Sequence, residues 1–135
     1  MAKQFWLNLP VKDITKSKAF FSKLGFQFNE QQGGGPNSAC LLLGEKNIVC
    51  MLFEEPMFKG FTNNEITNTQ QSTEVLLSID AQSKEEVDEM ASKAVAAGGT
   101  SNHKPTAMNG FMYGCVFADL DGHRWNVLYM DMSKM

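Results

Sequence analysis

The chain has only two histidines and three cysteines among its 135 residues. The cysteines, Cys40, Cys50 and Cys115, are odd in number, far apart and each set in an apolar, strand-like run. That spacing excludes a zinc finger and a disulfide framework, and it reads as reduced, buried thiols. An excess of basic residues is also missing: 12 Lys and Arg stand against 15 Asp and Glu, giving a net charge of -3. No positive field is therefore available for nucleic acid or an anionic membrane, and neither is expected as a partner. No apolar run approaches the roughly 20 residues of a spanning helix. The N-terminal Met1 to Trp6 passes directly into a strand pattern without the apolar core of a leader, so a cytoplasmic location is expected. What is present is an ordinary globular balance, 43% hydrophobic and 20% charged, enough to bury a core without metal or disulfide support. A single domain spanning residues 1–135 is expected.

Two similar halves follow one another. Gln4 to Val11 alternates as a strand, with Phe5, Leu7, Leu9 and Val11 on a core face and Trp6, Asn8 and Pro10 on the other. Asp13 can cap a helix over Lys16 to Leu24, where Ala19, Phe20 and Leu24 make the apolar stripe and Gly25 suits a left-handed end. Strands are expected at about Phe26 to Gln31, Ser38 to Leu43 and Asn47 to Phe53, with the Gly33-Gly34-Gly35-Pro36 run as a turn-rich connection between the first two. The order then repeats. Thr73 to Asp80 alternates as a strand, with Val75, Leu77 and Ile79 facing the core. Ser83-Lys84-Glu85-Glu86 is a capping box opening a helix whose Val87, Met90, Ala91, Ala94 and Val95 are buried and which Gly98-Gly99 ends. Strands at about Gly99 to His103, Met112 to Phe117 and Arg124 to Met130 complete the second unit, and Asp121-Gly122 signals a tight two-residue turn before the last of them.

The expected class is α+β, with two tandem β-α-β-β-β modules at about residues 1–54 and 73–135 joined by a polar segment at about 55–72. That segment carries Phe58, Phe61 and Ile66 and is long enough to suggest a pocket cover or a subunit contact. Helices cover one sheet face and leave a second face free to curl. Alternation assigns to it Trp6, Asn8, Cys50, Leu52, Glu74, Leu76, Asn126 and Leu128, a mixture of bulky apolar and isolated polar groups that suits a small organic ligand. Phe111, Met112 and Tyr113, after Gly110, are further wall candidates.

The order of motifs resembles a family. Leu9-Pro10-Val11-Lys12-Asp13, Ser17 to Phe21, Leu24-Gly25-Phe26, Thr73-Glu74-Val75, Val95 to Gly99, Gly110 to Gly114 and Asp119 to His123 together look like the vicinal oxygen chelate superfamily. This is the group of glyoxalase I, bleomycin-resistance proteins, fosfomycin-resistance enzymes and extradiol dioxygenases. Within it, the chain is most similar to small bacterial proteins described as predicted lactoylglutathione lyases. The resemblance implies a U-shaped mixed sheet around a cavity, usually in a homodimer. It also implies metal ligands, typically histidine or glutamate, on the first and last strand of each module. Those places fall here on Trp6, Cys50 (or, one residue on, Met51), Glu74 and Asn126.

Only Glu74 of the four is a usual ligand, whereas a catalytic divalent metal generally takes about three from the protein. No metal site and no cofactor are therefore expected, although a divalent metal remains the family's habit. Glu74 stays a candidate catalytic base, against the plainer reading of an exposed strand carboxylate. Asn126 can donate and accept hydrogen bonds but is a poor ligand for a borderline metal ion. Trp6 suits packing or stacking on a flat ligand, and Cys50 has no neighbour in sequence to lower its pKa and suits packing. His103 and His123 fall at sheet ends. Two functions stand side by side: metal-independent binding of a small molecule, and a glyoxalase-like lyase or dioxygenase-type enzyme using Glu74.

Overall fold

The structure, a computed structural model, describes residues 1–31 and 35–134. Gly33 and Gly34 of the expected glycine connection lie outside the described residues. Two compact units, Met1–Thr67 and Asn68–Met135, each carry one four-stranded mixed sheet. The division falls inside the expected connecting segment.

The first unit runs β1 (Leu7–Val11), α1 (Ile14–Lys23), β2 (Gln27–Phe28), β3 (Ser38–Leu43), β4 (Ile48–Glu54) and α2 (Glu55–Thr62), with sheet order β1-β4-β3-β2. β1 lies parallel to β4, and the other pairs are antiparallel. Helix α1 starts at Ile14 because two carboxylates meet its free amides. Asp13 Oδ1 accepts from the Lys16 N–H at 3.0 Å, and Glu54 Oε2 accepts from the Ile14 N–H at 3.1 Å. Its buried side is Ile14, Ser17, Phe20 and Phe21, continued by Leu24. Ala19, expected in that stripe, is exposed, since the period of 3.6 turns it away once Phe21 is inside. Phe5, expected in the core, precedes β1 and is 79% exposed.

The second unit repeats the plan with β5 (Leu76–Asp80), α3 (Lys84–Ala96), β6 (Thr100–Met108), β7 (Met112–Ala118) and β8 (Arg124–Met130), in the order β5-β8-β7-β6. β5 is parallel to β8. The two long helices end alike: the Phe26 N–H reaches Phe21 O across Gly25 (φ +96°), and the Gly99 N–H reaches Ala94 O across Gly98 (φ +108°). Ser83 Oγ accepts from the Glu86 N–H as the capping box requires. Val87 and Ala94 are fully buried, whereas Val95, expected beside them, is 51% exposed. Trp125 and Phe117 stack at 6.3 Å between ring centroids in the core under α3.

Several boundaries differ from the sequence expectation. β5 begins at Leu76 rather than Thr73, leaving Val75 45% exposed. β6 runs on to Met108 through Pro105, which an edge strand tolerates where its register shifts between His103 and Thr106. The loop from β6 to β7 is the three residues Asn109, Gly110 and Phe111, the first two at positive φ, and the two-residue turn expected at Asp121-Gly122 does not form. At the latter place only Gly122 has positive φ, and Asp119 N–H bonds His123 O across a three-residue loop. No helix among the described residues is long and apolar enough to cross a membrane.

Candidate functional site

Strand register decides which side chains share a face, because paired residues point to the same side of a sheet. In the first unit Leu7 pairs with Cys50 and Leu9 with Leu52, and Leu41 also pairs with Cys50. Cys50 and Leu52 are wholly buried on the face that α1 covers, not on the open face where alternation had put them. The loop Gly44 to Asn47 sets Leu43 opposite Ile48, so that Cys50 falls opposite the buried Leu41 and shares its face. Met51 and Phe53 take the open face with Asn8 and Pro10, and Phe61 of α2 meets Phe53 edge-on at 5.1 Å. Trp6 stands just before β1 and is 50% exposed. On its other side this unit has a cavity of about 260 Å³ lined by Ile14, Thr15, Lys18, Phe28 and Glu30 among others. None of the expected site residues lines it, and the Lys18–Glu30 ion pair at 3.0 Å ties its two charged walls together.

In the second unit the open face is an ordered grid. Leu76, Arg124, Ala118 and Thr100 form one row across the four strands; Ser78, Asn126, Val116 and His103 form the next. Asp80, Leu128, Gly114 and Thr106 follow, then Met130, Met112 and Met108. Asn126 Nδ2 donates to Ser78 Oγ at 3.1 Å, which fixes the amide in the centre of the face. Among the described residues no other hydrogen bond engages that side chain. Gly114 is bare for a reason: a Cβ there would stand 2.7 Å from Leu128 Cδ2 and from Val127 O. Leu76, Met112, Asn126 and Leu128 are thus brought onto one face of the sheet.

Other expected members are not. Tyr113 faces the opposite side, where its hydroxyl donates to Asp88 Oδ1 at 2.7 Å and Lys84 lies over its ring. The bond to Asp88 holds the Tyr113 pKa above its ordinary value. Met112 and Tyr113 are strand neighbours, so the pleat separates them. Phe111 sits in the turn before β7, half-buried, its carbonyl accepting from the Asp131 N–H. Glu74 occupies an exposed bend two residues before β5. Sequence reasoning missed Arg124, Ser78 and Val116 as neighbours of Asn126; the signal was available in the i±2 spacing of Arg124 and in the alternation of β7.

The turn leading into β8 is rigid. Asp119, nearly buried, accepts from the Asp121 and His123 N–H groups through Oδ1 and from Trp125 Nε1 through Oδ2, each at 3.0 Å. Thr69 Oγ1 donates to Asp121 O at 2.6 Å, and a side chain on Gly122 would overlap it. The three cysteines are buried and form no disulfide among the described residues, and burial pushes the Cys115 thiol up to about 11.

The metal habit of the family finds no matching donors. Of the four corresponding places, Cys50 is in the core, Trp6 has no donor atom free of its ring, Glu74 is in an exposed bend and Asn126 is an amide bound to Ser78. Among the described residues no three His, Cys, Asp or Glu side chains gather as a metal site would require.

Residues 3–40 match the sequence model of the bleomycin resistance protein-like N-terminal family. No curated protein matches the chain. Among solved structures, the hypothetical protein SA1046 from S. aureus is 32% identical, with 96% of this chain and 95% of that one covered and a TM-score of 0.85. A glyoxalase/bleomycin resistance protein/dioxygenase family enzyme from Burkholderia phytofirmans PsJN shares the fold at 22% identity, covering 93% and 96%, with a TM-score of 0.78. The fosfomycin resistance protein FosX from Listeria monocytogenes does so at 18% identity, covering 99% and 98%, with a TM-score of 0.68. Paired β-α-β-β-β modules, the motif order and these likenesses together establish that the chain belongs to the glyoxalase/bleomycin resistance/dioxygenase family, the vicinal oxygen chelate superfamily.

Proposed function

We propose that the protein binds a small organic molecule on the open sheet face of its second module, holding it without a metal and releasing it unchanged. The observation that supports this most is Asn126. Where the family resemblance implies a metal-binding carboxylate, β8 presents an amide anchored by Ser78 and flanked by Val116 and Leu128. An anchored amide among apolar neighbours orients a ligand by hydrogen bonds while the surrounding surface supplies affinity. The match to a bleomycin resistance protein-like family supports a sequestering role. The reading includes a homodimer in the cytoplasm.

A fragment library titrated into isotopically labelled protein tests it. Shifts should concentrate at Ser78, Val116, Asn126 and Leu128, vanish in Val116→Lys, and leave every compound chemically intact. Nickel, zinc, manganese and iron, offered singly and followed by elemental analysis, should remain far below one per chain. Stoichiometric metal, or a substrate consumed by the wild type and spared by Glu74→Gln, would instead establish the lyase-type alternative.

A further inference from the structure

Arg124 sits at the head of the ligand face and is half-buried, with Leu76 and Ala118 as its register partners and Asn126 next along the strand. Arg124 takes no part in the ion pairs Lys18–Glu30, Lys59–Glu65 and Lys134–Asp131. The other charged or titratable groups of this face have their own places in the register, Glu74 standing two residues before Leu76, the partner of Arg124. Asp80 is four residues further along β5 and accepts from Gln82 Nε2 at 3.0 Å; His103 is on the edge strand β6, beyond Val116; Glu74 stands in the exposed bend ahead of β5. A guanidinium held among apolar neighbours presents a planar fork of donors suited to a carboxylate or a phosphonate. From Arg124 the same face passes through the Asn126–Ser78 pair to Leu128, beyond which lie Met112 and Met130. Arg124 and Leu128 are four residues apart on one strand, roughly 13 Å at 3.3 Å per residue. Methionine supplies an adaptable apolar surface at that far end.

We infer that the molecule bound on this face is an elongated organic anion: its charged head pairs with Arg124, its middle meets Asn126 and Ser78, and its apolar tail lies towards Leu128 and Met112. This rests on the binding reading above and adds the chemical class. The probes are 4-phenylbutyrate and its neutral counterpart 4-phenylbutyramide, titrated into the full chain while amide shifts on β5, β7 and β8 are followed. The acid should bind about tenfold more tightly than the amide, the size of one charge-assisted contact on a partly wet surface. Arg124→Gln should erase that preference and keep amide binding, and Arg124→Lys should restore part of it. Equal binding of acid and amide to the wild type would overturn the anionic class while leaving the binding reading intact. Absence of shifts on the face with either probe and with the fragment library would overturn both. Because the wild-type comparison decides the matter alone, a poorly folded Arg124 variant does not rescue the proposal.

Discussion

Asp119 shows how one residue stabilises the strand that carries the ligand face. Burial raises its carboxyl pKa, against the lowering influence of His123, of the Trp125 indole and of two backbone N–H groups. The folded carboxyl therefore holds its proton more tightly than the unfolded one. Its contribution to stability falls as pH rises from about 3.9, the ordinary aspartate value, towards the raised folded value. Trp125→Phe removes one of the groups that favour the ionised form, and so should steepen that fall. At neutral pH the variant should lose roughly 1–3 kcal/mol through the stranded Oδ2 acceptor, and less at acid pH. Urea unfolding of both proteins between about pH 4 and 8, spanning the usual carboxylate range, measures this; a loss of equal size at every pH would count against it. The Asp-Gly turn signal was legible in the sequence. The function of Asp119 was not, because it depends on three donors that converge only when the loop closes.

At the scale of elements, α1 shows the same division between local and distant causes. Asp13 was readable as a cap because its partner, the Lys16 N–H, is three residues away. Glu54, forty residues from Ile14, was not readable, since nothing local points to it. Asp13→Ala should cost about 1 kcal/mol. Glu54→Gln keeps an acceptor for the Ile14 N–H and should cost less than Glu54→Ala, by roughly 0.5–1.5 kcal/mol, one net hydrogen bond. Chemical denaturation of the three variants gives the order, and an equal loss for the two Glu54 variants would remove the capping role. Helix α2 was unforeseen because eight residues carry little periodic signal, although Pro56 in its first turn and Asn63 in the left-handed conformation at its end bound it clearly.

For the whole molecule, the exposed apolar groups bear on assembly. Phe5, Trp6 and Phe61 are 79%, 50% and 66% exposed in the first unit, and Leu76 is 54% exposed in the second. Large apolar side chains left in water favour association where they form a contiguous patch. With the proposed homodimer, sedimentation velocity at micromolar concentration should give twice the chain mass of 15.0 kDa. A single species at the chain mass would reject the dimer.

The sequence by itself determined the two-module plan, the helix caps and stops, and the family, because each follows from short-range patterns: period, capping spacing, glycine at helix ends. Only the tertiary structure decided which side chains share the ligand face. Strand alternation has a period of two, so the pairing of Cys50 with Leu7 and Leu41 sends it into the core, and pleating turns Tyr113 towards α3. The same register placed Arg124 beside Asn126 and Leu76. A residue's row and face on a sheet depend on pairing with strands tens of residues away, and local pattern does not record that pairing.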